Sequence, residues 1–200
     1  MNDLWGADDA AAWRSALGFY ARVVAAQGVR NLVEHDRWFS DELPQLLAAR
    51  RPASVTLDEL ARVAEWKMHR GVYRARNLAL IRTNTPEQVE ATSRAALAAV
   101  PDPDRPIALL SGLKGVGPAT ASAIASAARP DVYPFFDELV AEQVPGLGPV
   151  DFSPRYYRRY AEALRERAAR LGHDWTPSQV ERALWAFRGG KAGAGALSKL

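Results

Sequence analysis

The chain has no cysteine. That excludes disulfides and removes the thiolate ligands an iron–sulfur cluster needs. Histidine is nearly as scarce. His35, His69 and His173 are the whole supply, and they lack metal-ligand spacing, so a zinc enzyme is not expected. No run approaches the ~18 consecutive apolar residues of a membrane span. The start, Met1-Asn2-Asp3-Leu4-Trp5, lacks the basic and apolar regions of a secretory signal. A cytoplasmic protein with no membrane partner is the expectation.

Strand-like alternation is missing too, and what is present is helical punctuation. Thr56-Leu57-Asp58-Glu59, Thr85-Pro86-Glu87-Gln88 and Thr176-Pro177-Ser178-Gln179 are capping boxes, the last two with proline at the first helical position. Ser153-Pro154 repeats the serine cap and proline without the partner Glu or Gln. The pattern predicts helices at about 8–27, 36–50, 57–70, 74–83, 86–99, 104–112, 118–128, 135–143, 154–171 and 177–188. Hydrophobic residues make up 48% of 200, ample for one globular domain. The expectation is an all-α domain over 1–188, a linker at 144–152, no internal repeat, and a mobile glycine- and alanine-rich tail over 189–200.

The net charge is only +3, but it is unevenly distributed. One basic block holds Arg62, Lys67, Arg70, Arg74, Arg76 and Arg82, and another holds Arg155, Arg158, Arg159, Arg165, Arg167 and Arg170. Two such blocks in an otherwise acidic chain suit a polyanion, and equally suit two solvated helix faces. On the second block, Tyr156 and Tyr160 share a face separate from the arginines and read as core.

The densest signal is Leu113-Lys114-Gly115-Val116-Gly117-Pro118-Ala119-Thr120, followed by Pro134-Phe135-Phe136-Asp137-Glu138. Two glycines flank one apolar residue, where the backbone takes positive φ or meets another surface closely. Pro118 opens a helix of small residues. The unit reads helix, tight turn, helix, over about 105–128. It leaves amides free at a helix N-terminus, which suits a phosphate. Asp137 reads either as a helix cap or as a carboxylate for acid–base or electrostatic work. Trp66, Lys67, Arg70, Tyr73 and Arg74 place rings and cations together at another helix end, and Trp66, Lys67, Tyr73 and Arg74 with Phe136 form the candidate slot for a flat base.

These two motifs resemble the helix-hairpin-helix superfamily of DNA glycosylases, with its glycine/proline-rich loop and downstream aspartate. That family's hairpin reads Leu-Pro-Gly-apolar-Gly, with Lys114 here replacing the proline. The resemblance implies a two-lobed all-α fold with a cleft, and duplex DNA as the partner of a monomer, nucleoid-associated if the source is bacterial. It implies backbone phosphate contacts at Lys114, Gly115, Val116, Gly117, Ala119 and Thr120, and a catalytic aspartate at Asp137. It also implies a monovalent cation on the carbonyls of Leu113, Gly115 and Gly117, with no other cofactor. Bifunctional members carry a lysine where this chain has Ala119, so the expected activity is monofunctional base excision. The alternatives are a non-catalytic DNA-binding or scaffold protein, and a protein-interaction domain whose Gly-Val-Gly is only a turn. Lys67 is the one candidate for a displaced Schiff-base amine.

Overall fold

The computed structural model describes residues 3–193, and all regular structure among them is helical. In chain order the helices are α1 (Ala10–Gly18), α2 (Tyr20–Ala26), α3 (Leu32–Arg37), α4 (Leu43–Ala49), α5 (Leu57–Arg70), α6 (Ala75–Ile81), α7 (Pro86–Ala98), α8 (Arg105–Leu110), α9 (Pro118–Ala128), α10 (Glu138–Ala141), α11 (Pro154–Leu171) and α12 (Pro177–Arg188). A π-turn at Trp38–Glu42 joins α3 to α4. No helix among the described residues is long and apolar enough to cross a membrane.

The three capping boxes form as the sequence predicts, with both reciprocal hydrogen bonds at Thr56, Thr85 and Thr176. Ser153 caps α11 by accepting from the Tyr156 N–H. The segment expected as one helix over 8–27 is two. Gly18, a poor helix former, ends the first, and Phe19 with ψ near −10° separates them.

α12 packs against α1, α2, α10 and α11, while α5 packs against α3, α6, α7 and α9. α9 lies at the centre. Residues 119–127 are all buried, so the small side chains at Ala119, Ala121, Ala123 and Ala125 allow neighbours to approach on every face.

The expected helix over 135–143 shrinks to α10. The preceding residues run extended through the core, held by side chains. Phe136 N–H donates to Ser122 Oγ at 2.9 Å. The Tyr133, Pro134 and Phe135 carbonyls accept from the hydroxyls of Ser178 (3.0 Å), Tyr157 (3.2 Å) and Tyr160 (2.7 Å). Four backbone groups of the segment thereby find side-chain partners in place of helical ones. The tyrosines of α11 are core, and Tyr157 and Tyr160 fix the extended segment that ends at Asp137.

Residues 144–148 are not a loose linker. Val144 and Leu147 are buried, and the segment repeats the 113–117 turn. Gly115 and Gly146 have φ of 76° and 78°. Leu113 N–H bonds Leu110 O and Val144 N–H bonds Ala141 O, both at 3.1 Å. The copies part at the second glycine. Gly117 is extended (φ −105°) and leads straight into α9, whereas Gly148 has φ 76° and α11 begins only at Pro154. This short repeat of Gly-apolar-Gly-Pro escapes a sequence reading that looks for longer periods.

The start of the supposed tail is also fixed. Gln27 Nε2 donates to Gly189 O at 3.0 Å, and Ala192 N–H donates to Gln27 Oε1 at 2.9 Å. Residues 194–200 of the expected mobile tail lie outside the described residues.

Candidate functional site

A cavity of about 240 Å³ opens where four segments meet. The end of α5 contributes Lys67 and Gly71, and the next segment contributes Val72, Arg74 and Asn77. Gly117 to Thr120 come from the start of α9, and Phe135 to Glu138 from the extended segment, with Phe152 alongside. The volume falls just under the ~300–1,000 Å³ of sites for larger ligands, so one small ring-sized group fits. The hairpin and the aspartate, identified from separate stretches of sequence, line the same cavity.

Asp137 is 5% exposed. Its Oδ1 accepts from the Leu139 N–H at 2.8 Å, capping α10. Its Oδ2 lies 3.3 Å from Arg70 Nε, an ion pair that lacks hydrogen-bond alignment. Burial pushes the Asp137 carboxyl above the usual carboxylate range, and the Arg70 guanidinium pulls it back.

Arg70 is the residue that the sequence reading misplaces among surface cations. It is 1% exposed. Its guanidinium pairs with Glu181 of α12, donates to the Tyr20 hydroxyl at 3.3 Å, and lies 4.5–5.6 Å from the ring centres of Trp185, Phe135, Trp66 and Tyr20. Tyr20 in turn donates to Asp36 at 2.7 Å, and Trp66 Nε1 donates to the same oxygen at 2.9 Å. Burial disfavours the charge on Arg70. Glu181, Tyr20, Asp137 and Asp36 more than offset this and hold the guanidinium protonated beyond its ordinary strength. No short-range sequence signal marks this residue. Its burial depends on Glu181 and Trp185, more than 100 positions away.

Two buried carboxylates facing one guanidinium cannot both ionise freely. Burial, followed by repulsion from Asp137, pushes Glu181 up to about 7 against the pull of Arg70. The folded state therefore holds a proton there that the unfolded chain releases near its ordinary value of 4.5. Stability from this group is complete below that lower value and is lost as pH rises toward 7. The Glu181→Gln variant is expected to lose this slope. Its stability relative to wild type should improve between pH 5 and 8 by up to about 3 kcal/mol. Denaturant melts across that range test this, and parallel curves would contradict it.

Lys67 lines the cavity as expected, but Trp66 does not. Adjacent helical positions diverge by ~100°. Trp66 points to the other side of α5, stacked on Phe39 at 3.6 Å, and is part of the core. Tyr73 also lies off the cavity wall, exposed and stacked on His69 at 6.2 Å. Phe136 and Arg74 are on the wall. Of the basic residues, Arg62 and Arg82 pair with Glu34 and Glu65. Arg158 pairs with Asp104, and Arg167 is buried against Trp5 and Trp13. Arg159 donates to the Gly146 and Leu147 carbonyls. Arg70 and Arg167 therefore belong to the core, while Arg76, Arg155 and Arg170 of the two basic blocks stay exposed.

The hairpin is anchored by Asn84, whose side chain accepts from Lys114 N–H and donates to Lys114 O, both at 3.0 Å. The side chain of Lys114 is exposed and Val116 is buried. The amides of Gly115, Gly117 and Ala119 have no partner among the described residues, so three donors remain for an anion. Of the carbonyls expected to hold a cation, Leu113 O already accepts from Val116 and Gly117 O from Thr120 and Ala121.

The two glycines differ in kind. A Cβ on Gly115 would stand 2.5 Å from Asn77 O and 2.9 Å from Ile81 N, in a left-handed conformation. A Cβ on Gly117 would meet nothing within 4 Å. Gly115→Ala is expected to cost about 2–4 kcal/mol of stability from strain and overpacking. Gly117→Ala is expected to change stability by under about 1 kcal/mol. Thermal melts of the two variants check this, and equal melting would refute the distinction. Compared with protein-family models, with curated proteins and with solved structures, the chain matches none.

Proposed function

We propose that this chain binds duplex DNA by its backbone at the 113–117 hairpin and hydrolyses the N-glycosidic bond of a base extruded into the adjoining cavity. The observation that carries this reading is the shared cavity, lined both by Asp137 and by the start of α9 with its unpartnered amides. Phosphate on those amides would set register without reading sequence. The exposed Lys114 adds a cation beside them. A base turned out of the stack would lie against Phe136 and Phe152. As the bond from base to C1′ breaks, positive charge grows on the sugar, and the Asp137 carboxylate is placed to stabilise it. Water then adds to C1′, and the base leaves with its bonding electrons and a proton. The two-lobed glycosylase fold belongs to the same proposal, with α1, α2, α11 and α12 in one lobe and α5 to α9 in the other.

The test is base release from a panel of duplexes carrying single damaged or mismatched bases, run beside a shift assay at increasing salt. Expected are release from at least one duplex and binding that falls steeply with salt through counterion release. Lys114→Glu should weaken binding similarly on every duplex and flatten the salt slope by about one phosphate contact. Salt-dependent binding without base release on the whole panel would leave the non-catalytic DNA-binding reading. No binding at low salt would remove both.

A further inference from the structure

A second cavity, of about 280 Å³, has Arg70 on its wall as the first has Asp137. The ion pair between these two residues, and Phe135, which lines both spaces, connect the walls. On the apolar side Phe39 stacks on Trp66 with ring centres 3.6 Å apart, and Phe135 tilts against Trp66 at 4.8 Å. The charged residues of the wall are Arg70, Glu181 and Arg182. Arg70 and Glu181 already pair with each other. Arg182, half-buried on α12, makes no ion pair among the described residues and donates only to the neutral Ser40 Oγ, at 3.1 Å. Ser126 of α9 lines the same space, is 6% exposed, and its hydroxyl has no hydrogen-bond partner among the described residues. Gln179 uses its Oε1 to accept from the Thr176 N–H at 2.8 Å, and its Nε2 is unpartnered among the described residues. Donors without acceptors cost stability when they leave water, so three of them around one cavity point to an occupant.

We infer that this second cavity is a binding site for a small aromatic monocarboxylate, its carboxylate met by Arg182, Gln179 and Ser126 and its ring by Phe39, Trp66 and Phe135. Size, charge and shape each select that class. The volume falls just under the ~300–1,000 Å³ of sites for larger ligands, so it takes one ring with one short substituent. The wall carries two guanidiniums against one carboxylate, and it stays net positive even with Glu181 ionised. Asp36 and Asp137 are close but off this wall, held by Tyr20 and Trp66 and by Leu139 N–H and Arg70. A flat carboxylate matches the fork of a guanidinium, and a ring packs offset or edge-on against aromatic neighbours. Side chains must supply the anion contacts. The first amides of α12 are already used, Ser178 N–H by Pro130 O and Gln179 N–H by Thr176 Oγ1. Glu181 is the carboxylate such a ligand meets. It faces Arg70 of α5, Asp137 of the extended segment, Tyr20 of α2, Tyr160 of α11 and Arg182 of its own helix. Pushed up to about 7, its carboxyl is partly protonated near neutral pH, and a bound anion favours the protonated form further. The site depends neither on DNA nor on base release.

The experiment is a calorimetric titration of the full chain with benzoate as the probe. Benzamide serves as its uncharged isostere, and acetate as the anion without a ring. The expected result is one saturable site for benzoate, with benzamide and acetate each weaker by about tenfold or more. Arg182→Gln should weaken benzoate by about tenfold or more, and Arg182→Lys should recover part of the loss. Ser126→Ala, which removes only a hydroxyl, should weaken it by about threefold or more. Arg94→Gln, exposed on α7, should leave it within about twofold. Benzoate should bind more tightly at pH 6 than at pH 8, by about threefold or more, because its binding and protonation of Glu181 favour each other. Benzamide should show no such dependence. Melting curves confirm that each variant is folded, and should Arg182→Gln fail to fold, Ser126→Ala decides in its place. No binding at about 10 mM benzoate overturns the inference. So does equal binding of benzoate and either analogue, undiminished binding by the folded Arg182 and Ser126 variants, or a benzoate affinity that ignores pH. Every one of these outcomes leaves the proposed reading on DNA as it stands.

Discussion

Arg70→Ala is expected to lower stability by about 3–5 kcal/mol, the usual cost of leaving a buried charge without its partner. In a chain of this size that is a fall in Tm of roughly 10–15 °C. Two effects combine. Asp137 and Glu181 lose the guanidinium that pairs with both, and four aromatic rings lose the flat group packed among them. Without Arg70 both carboxyls rise further, so the folded state holds more protons than the unfolded one. The loss should therefore be smaller at pH 5.5 than at pH 8. Arg70→Lys should recover only part of it, because an ammonium cannot reach Glu181, Asp137 and Tyr20 at once. Arg76→Ala, at an exposed position, should change stability by under about 0.5 kcal/mol. Denaturant melts at the two pH values check these figures. A loss at Arg70 no larger than at Arg76 would mean that the buried cluster contributes little.

The same residue marks where sequence reading stops. Capping signals act within four positions, so Thr56, Thr85, Ser153 and Thr176 place their helices correctly. The 113–118 turn is legible for the same reason, since glycine and proline restrict their own backbone. Asp137 stands out in the sequence only through the resemblance, and the structure puts it on the wall of the same cavity as Gly117. Arg70 is not legible, because an arginine in a cation-rich run reads as solvated, and its partners come from α2, α12 and the segment before α10. Trp66 is misread in the opposite direction. Its ring suits a base slot, yet the helix turns it toward Phe39, away from Lys67. The extended path of 133–137 is equally invisible, because it depends on hydroxyls of Tyr157, Tyr160 and Ser178 that arrive from α11 and α12. The grouping of Lys67 with Asp137 follows from the packing of α5 on α9.

Asp137→Asn is expected to abolish base release while the protein stays folded and keeps binding the duplex. A loss of at least 100-fold in rate corresponds to about 3 kcal/mol of transition-state stabilisation, within the range for one preorganised electrostatic group. Asparagine retains the shape and caps a helix about as well as aspartate, so the bond to Leu139 N–H is kept. The ion pair to Arg70 is lost, but Arg70 still has Glu181, and two carboxylates no longer compete for one guanidinium. The stability change should therefore stay within about 2 kcal/mol, unlike that of Arg70→Ala. Removing the Asp137 charge also removes one cause of the raised Glu181 carboxyl, so Glu181 should titrate lower in this variant. That downward shift is visible in the pH dependence of stability even if no substrate base has been found. In the wild type, activity should fall as pH drops through the raised Asp137 carboxyl, because only the ionised form offsets a positive sugar. The measurement is base release by wild type and variant on the same duplex, with melting curves as control. Equal rates would reduce Asp137 to a helix cap and an Arg70 partner. A selective loss of rate with the fold intact would assign it to the reaction.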